Sequence, residues 1–483
     1  MSKSNVYDLC GLGSQREPDG QVIELLDRGA PKVKVVDGEV HTISKGKILK
    51  TAANVRRVLL NDSYYQSLRY NEHTNTVEYL GKSIVDVGIT DMRVDLDERY
   101  QTGCQKKDFE DMAIWVAHQR SYDPLIDYLD SCVARHSHKS CVKGNLKALR
   151  GLFGSTKDSL VKVVTTSTSK SGELVDYSQL LCHMSVCWAV SAIARARASD
   201  DTAGVKVDTC LVLVGKQGAY KSSLIKALAS DKFFSDSHLP IGNKDGYQLI
   251  HSSGVWVWEL GELHSLRGKS AENTKMYLSA QSDLYRPTHA RFPVRKNRRL
   301  VFTATTNDFT FLSDPTGNRR FWPVLIDGYG INLEAVAKIR DRYWAEAQAL
   351  YDIILRGRNK GKLLKAEQVL FDEFGGWWLN DKMSDRLRSY QDRFYLDDPW
   401  VSTVRELVNS RYLSSGRIGT TIEEIMTELE LPVTSQHSGY ARRIADILRK
   451  EGAERVQTTI GSKKVRFWQL PQNKPVSTKG ESK

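Results

Sequence analysis

The chain has 483 residues, 40% hydrophobic and 27% charged, which gives a prior of about three domains and excludes global disorder. Its 70 Lys and Arg outnumber its 58 Asp and Glu, and the formal charge of +12 favours polyanionic partners, nucleic acid first. Seven cysteines fit a reducing cytoplasm rather than a disulfide framework, and no run of eighteen apolar residues or signal peptide is visible.

The first fifty residues alternate turn signals with short apolar runs. Residues 51–60 read as helical, and Tyr64 to Gly81 as a strand pair turning at Asn71 to Asn75. Lys107 to His118 reads as a helix with Phe109, Met112, Ile114 and Val116 on a face broad enough to be buried on two sides, and Asp123-Pro124 starts a new segment. Lys157 to Gly172, rich in Ser, Thr and Lys, reads as a loop. The apolar helix that follows, about Tyr177 to Ala198, is interrupted by His183 and reads as buried rather than membrane-spanning.

Cys210 to Val214 is an apolar strand that runs into Gly215-Lys216-Gln217-Gly218-Ala219-Tyr220-Lys221-Ser222 and then a helix from Ser223 to Ala229. That order suits a phosphate loop: glycines turn backbone N–H groups to the anion, the helix terminus adds positive potential, Lys221 reaches terminal phosphates, and the Ser222 hydroxyl ligates magnesium. Tyr220 stands where glycine usually precedes the lysine, so a positive φ there predicts strain or a reshaped loop.

Val255 to Leu260 is a second strand ending in carboxylates, Glu259 and Glu262. One carboxylate suits magnesium and another suits orienting a water; the bland alternative is two solvated turn residues. Leu300 to Thr306 is a third strand, ending at Asn307, which could sense a γ-phosphate or be a plain turn residue. Gly317-Asn318-Arg319-Arg320-Phe321-Trp322 places two guanidiniums after a glycine turn; they suit a neighbour's γ-phosphate or form a surface pair. Strands alternating with helices predict an α/β core near 200–330.

Residues 331–410 read as mainly helical, with Tyr343, Ala347 and Leu350 on one helix face. Thr421 to Leu431 and Gly439 to Lys450 are amphipathic helices, and Val456 to Leu470 is a hairpin around Gly461-Ser462-Lys463-Lys464. Helix, turn, helix and a two-stranded wing is a winged-helix pattern. The last dozen residues read as a polar tail.

The joined stretches LVLVGKQGAYKSSLIKALA, WVWELGELHSL, DLYRPTHARFPVRKNRRLVFTATTN and FLSDPTGNRRFWPV resemble the virulence-associated protein E family. These are helicase-like ATPases of phages, plasmids and genomic islands, related to superfamily 3 helicases within the AAA+ fold. YDPLIDYLDS, RDRYWAEAQALY and the winged-helix end extend the likeness over roughly residues 55–470. The resemblance implies that Gly215, Gly218, Lys221, Ser222 and Ser223 hold ATP, with Ser222 and Glu259 toward Mg2+. It further implies a Walker B region at Glu259 and Glu262, a sensor at Asn307 and an arginine finger at Arg319 or Arg320. A homo-oligomeric ring, a hexamer, in a bacterial host's cytoplasm follows by the same likeness, together with host or element replication proteins as partners.

Arg286, Arg291, Arg295, Lys296, Arg298 and Arg299 lie within fourteen residues that contain no acid. In superfamily 3 helicases that position carries a channel hairpin; such a run suits sequence-tolerant backbone binding to single-stranded or forked DNA, or is a solvated face or a contribution to the ATP site, with Arg286 the first candidate for the last. The winged-helix candidate is basic too, with Arg442 and Arg443 as the expected groove contacts and protein docking as the alternative. Two weaker signals read blandly: Cys132, His136, His138 and Cys141 are too compressed for a usual zinc site, and Asp95-Leu96-Asp97 reads as a solvated turn.

The expected fold class is α/β, an AAA+-like P-loop ATPase core (131–330) with an N-terminal α+β accessory module (1–130), a helical extension (331–410), a C-terminal winged helix (411–472) and a tail (473–483). The expected function is ATP-dependent DNA unwinding or remodelling in replication of a mobile element. The rival is a non-motor DNA-binding initiator or regulator whose assembly ATP controls; a primase lacks its polymerase constellation.

Overall fold

The structure is a computed structural model. It describes residues 22–23, 33–36, 39–42, 52–84, 86–100, 103–154, 159–168, 173–200, 203–237, 253–261, 269–285, 294–312, 318–395, 400–410, 419–431, 438–460 and 463–470. It is mixed α/β and falls into two compact units, residues 1–309 with 314–392 and residues 310–313 with 393–483.

The larger unit is built on a seven-stranded sheet. We label its strands β1 (Phe153–Gly154), β2 (Val161–Val163), β3 (Cys210–Val214), β4 (Phe234–Ser235), β5 (Val257–Leu260), β6 (Val301–Thr306) and β7 (Phe321–Ile331). Their spatial order is β4-β5-β6-β3-β7-β2-β1. The pairs β4/β5, β5/β6, β6/β3 and β3/β7 are parallel, while β2 meets β7 antiparallel. All five residues of β3 are buried, as the unbroken apolar run CLVLV requires of a strand covered on both faces. Chain order reverses beside β3: the connection from β3 runs out to β4, while those from β4 to β5, β5 to β6 and β6 to β7 run back the other way, the last passing over β3, and the carboxyl end of such a strand is where open α/β sheets leave a crevice.

β7 departs from the sequence expectation, which treated its first residues as an arginine motif only. Its apolar start, FWPVLI, is buried. Pro323 pairs with Val212 of β3 in the part of β7 that β2 does not reach, where a missing N–H leaves no ladder bond unmade. The loop expected at 157–172 contains β2 and the strand Thr166–Thr168.

Helix α1 (Ser178–Ala196) is buried along nearly its whole length. It lies with α2 (Lys221–Ala229) and α3 (Leu333–Arg358) around three tryptophans. The rings of Trp256 and Trp344 are 4.3 Å apart and those of Trp188 and Trp344 6.2 Å. Each indole N–H finds a carbonyl: Trp188 to Phe302, Trp256 to Ala192, and Trp344 to Leu228. That is the condition for burying so much aromatic surface. Near the end of α1, Arg195 is fully buried and donates to the carbonyls of Leu300 (3.0 Å), Val207 (2.7 Å) and Ala280 (3.1 Å). Burial lowers its pKa to about 9.

Because α3 packs on α1 and α2, the boundary expected at 330/331 does not separate compact bodies; Tyr343, Ala347 and Leu350 are core residues of the same unit. The N-terminal part of this unit has its own cluster around Val55, Leu59, Tyr65, Leu96, Phe109 and Val116. Its helix Lys106–Gln119 is buried on one side only, since Ile114 and Trp115 are exposed. Asp123 caps the next helix, accepting from the Leu125 and Ile126 N–H groups. Asp95-Leu96-Asp97 lies within the helix Asp86–Tyr100 rather than in a turn; Leu96 is core and Asp95 accepts from the Tyr65 hydroxyl.

The smaller unit holds the helices Val401–Ser410, Ile422–Glu428 and Ser438–Lys450 and the hairpin Glu454–Ile460/Lys463–Gln469. Val404, Val408, Ile425, Ile444, Leu448 and Trp468 form its core. The first helix was expected in the extension ending at 410; Val404 and Val408 place it here. Thr421 and Glu424 exchange side-chain and backbone bonds in a capping box. Among the described residues no helix is long and apolar enough to cross a membrane.

Candidate functional site

Three strand ends converge at the carboxyl edge of β3. The loop after β3 turns at Gly218, φ +78°, and opens α2 through Tyr220 in the left-handed region, φ 58° and ψ 28°. The loop keeps its positive φ and Tyr220 absorbs the strain, on the order of 1–2 kcal/mol for a side chain with a Cβ. Its ring is exposed to solvent. Tyr329, from the outer part of β7, is also exposed and its ring edge lies beside Gly218.

Lys221 is 7% exposed. Its ammonium donates to the carbonyls of Gly215 (2.9 Å) and Lys216 (2.8 Å) and to Asn307 Oδ1 (2.8 Å). Burial depresses its pKa, and the Glu259 charge works in the opposite sense. The cation is thus held by neutral oxygens that an anion can replace. Ser222 donates from Oγ to Glu259 Oε1 at 2.6 Å, and Thr305 on β6 donates to the same oxygen at 2.5 Å. Glu259 is 3% exposed, and its Oε2 is buried with no hydrogen-bond partner among the described residues.

An orphaned carboxylate oxygen beside a serine hydroxyl fits a divalent cation. Magnesium commonly takes one or two protein ligands and draws the rest from phosphate and water. That need is modest: no group of three or more His, Cys, Asp or Glu among the described residues is placed to hold a metal. Cys132 and Cys141 sit buried in separate helices, and His138 faces Glu367 and Arg356.

The structure therefore brings Gly215, Gly218, Lys221, Ser222, Glu259 and Asn307 together, with Ser223 the third residue of α2. Glu262, Arg286 and Arg291 lie outside the described residues. Thr305 was missed; its signal is a threonine within the strand FTATTN, two residues before Asn307 and so on the same side of the strand. Arg319 and Arg320 lie elsewhere: they precede β7, whose Phe321 aligns with Cys210 at the start of β3. That is about 17 Å of strand away from the loop. Arg320 donates to Ser279 Oγ, while Arg319 is 73% exposed and 3.9 Å from Asp208.

The strand Ser282–Tyr285 pairs antiparallel with Val294–Asn297 as a hairpin before β6. Arg295 is exposed on it and bonds Ser282 Oγ. Lys296 is 3.0 Å from Asp200. Arg298 corrects the expectation of a phosphate contact. It is 5% exposed, forms a two-pronged pair with Asp283 at 2.5 and 2.6 Å and lies over the Tyr277 ring. Arg299 pairs with Asp123 at 2.5 Å. In the smaller unit Arg442 and Arg443 are exposed on the helix Ser438–Lys450, with the Arg443 guanidinium 3.9 Å from the Trp400 ring centre.

Comparison with known proteins adds a match to one family model. No curated protein matches the chain. Three apo structures of the NrS-1 C-terminal region are similar at 10% identity. They cover 68% of this chain and 75%, 75% and 74% of theirs, with TM-scores of 0.31, 0.32 and 0.33. Scores this low carry no weight for fold or function. The family model is more informative and narrower than the stretch 55–470 read from sequence: residues 174–396 of this chain match the virulence-associated protein E-like domain.

Proposed function

We propose that the protein is a Mg-ATP hydrolase of DNA replication, unwinding or remodelling single-stranded or forked DNA for a phage, plasmid or genomic island. The observation that carries this reading is the convergence of Lys221, Ser222, Glu259 and Asn307 at the carboxyl edge of β3. In this reading the larger unit is an AAA+-like P-loop core, and the smaller unit, three helices and a hairpin, is a winged helix.

Bound Mg-ATP supplies the phosphoanhydride and the divalent charge. The chain supplies position. The backbone N–H groups between Gly215 and Lys221 cradle phosphate, and the Lys221 ammonium exchanges its carbonyl partners for phosphate oxygens. Ser222 Oγ and the orphaned Glu259 oxygen would hold the cation, while Asn307 holds the Lys221 ammonium at the carboxyl edge of β3. Arg319 and Arg320 stand at the opposite sheet edge from their own loop, so an arginine finger from this pair serves a neighbouring subunit. That favours a homo-oligomeric ring, and Arg319, the more exposed, is the better finger.

The test is phosphate release and forked-DNA unwinding with and without single-stranded DNA. Lys221→Ala abolishes both in this reading; DNA-stimulated hydrolysis at the parent rate in that variant overturns it. The ion pairs of Lys296 and Arg298 weaken the hairpin as a DNA grip and favour a second reading, an initiator whose assembly ATP controls. ATP-dependent DNA binding without unwinding distinguishes it.

A further inference from the structure

The amino edge of the sheet, opposite the phosphate loop, carries a cavity of about 620 Å³, within the range of small-molecule sites. Its walls come from four places. Tyr70 and His73 belong to the N-terminal module and His118 to the end of the helix Lys106–Gln119. Gly254 precedes β5, and Lys296 and Asn297 form the root of the hairpin.

The charged groups of the cavity largely satisfy one another. Arg299 pairs with Asp123, Lys296 with Asp200 and Arg298 with Asp283. A bare phosphate therefore has little to gain here. What the walls leave over is neutral and flat. His73 is 6% exposed, and its ring is hydrogen-bonded to the Gly254 backbone. Its Nε2 is buried without a partner among the described residues. Burial lowers its pKa to about 4, so the imidazole is neutral at pH 7 and Nε2 is an acceptor lacking a donor. Beside it, the Tyr70 and His118 rings stack with centroids 3.9 Å apart and planes 29° apart. His118 is exposed, so the stack can be extended outward.

A ligand that offers a flat π-face, an N–H donor at its edge and no large net charge is a nucleobase. We propose that this cavity receives one unstacked base of a nucleotide, stacked on the Tyr70–His118 pair with its N–H edge toward His73 Nε2. A nucleotide within single-stranded DNA and a free nucleotide share this chemistry. The strand is the source that fits the hairpin root, because Lys296 belongs to both. The inference rests on the DNA-binding part of the proposed function.

The experiment uses the full chain and an oligonucleotide bearing one 5-iodouracil, photocrosslinked and mapped by mass spectrometry. In parallel, 5-iodouridine monophosphate is crosslinked to Lys221→Ala, which removes the phosphate loop as a competitor. The expected adduct is on Tyr70 or His118. His118→Ala should remove it and weaken oligonucleotide binding about tenfold, as loss of one base-stacking contact does, with the unfolding midpoint unchanged. Adducts on these residues from the free nucleotide alone keep the pocket and change the source. An oligonucleotide that binds tightly, crosslinks elsewhere and ignores His118→Ala overturns the pocket and leaves DNA binding standing. Absence of oligonucleotide binding removes the DNA reading, and absence of labelling by the free nucleotide as well removes the pocket.

Discussion

The two edges of the parallel sheet handle charge in opposite ways. At the carboxyl edge, one buried ammonium and one buried carboxylate are held chiefly by neutral groups: Lys221 by two carbonyls and an amide, Glu259 by two hydroxyls. At the amino edge, Lys296, Arg298 and Arg299 are each held by a carboxylate. A cation on neutral oxygens keeps most of its field for an arriving anion. A cation already joined to a carboxylate has spent that field on the fold. Density of basic residues in sequence thus misleads here: the richer cluster is the more structural one.

The sharpest way to break this contrast is at Lys221. Lys221→Ala should lower ATP turnover about 10³-fold or more, the scale of losing a main charge-stabilising group in phosphoryl transfer, measured by phosphate release. At the other edge, Arg298→Ala should destabilise the protein by about 3–5 kcal/mol, because it strands Asp283 in a largely buried site. Arg295→Ala, on the exposed hairpin face, should change stability by about 0.5 kcal/mol at most. Denaturant unfolding of both variants checks the pair; equal small effects would mean that the amino-edge pairs are solvated after all.

His73 sharpens the comparison through pH. Its folded pKa, about 4, lies below the ordinary histidine value of 6.5, so protonation favours unfolding. Its contribution is fully present above pH 6.5 and declines as pH falls toward 4. The span is worth on the order of 3 kcal/mol. His73→Phe should flatten the parent's loss of stability between pH 7 and pH 4.5, followed by denaturant unfolding at each pH. The smallest effect belongs to Tyr220→Gly. Releasing the left-handed strain should raise stability by about 1 kcal/mol, read as a higher thermal midpoint, and nucleotide titration reports any change in affinity.

The site was legible where its geometry is local. The strand, loop and helix around Gly215 to Ala229 follow from short-range apolar runs and glycine placement, and Tyr220 was marked as the strained position from one residue's identity. Asn307 and Glu259 were legible as strand ends, although only the β5/β6/β3 order brings them to the loop. Arg298 was not legible. Its partner Asp283 lies across a hairpin, and a run of arginines reads alike whether solvated, bound to phosphate or buried in pairs. β7 was hidden because Arg319 and Arg320 drew the reading to chemistry, while the apolar FWPVLI behind them carried the fold. The helix Val401–Ser410 was assigned to the wrong body for a related reason: periodicity tells which face of a helix is apolar, not which core receives it.

Arg195 has a mechanical consequence. One guanidinium, with no carboxylate partner among the described residues, ties the end of α1 to the chain just before β3, to the chain just before β6 and to Ala280 at the foot of the hairpin. These three segments cannot slide past one another singly. A tilt of the hairpin foot must either break buried hydrogen bonds with no water to replace them or carry the starts of β3 and β6 with it. The far ends of those two strands hold Gly215 and Asn307, the partners of the Lys221 ammonium. Arg195 is thus a rivet, and a load applied at the hairpin is felt by the sheet as a whole.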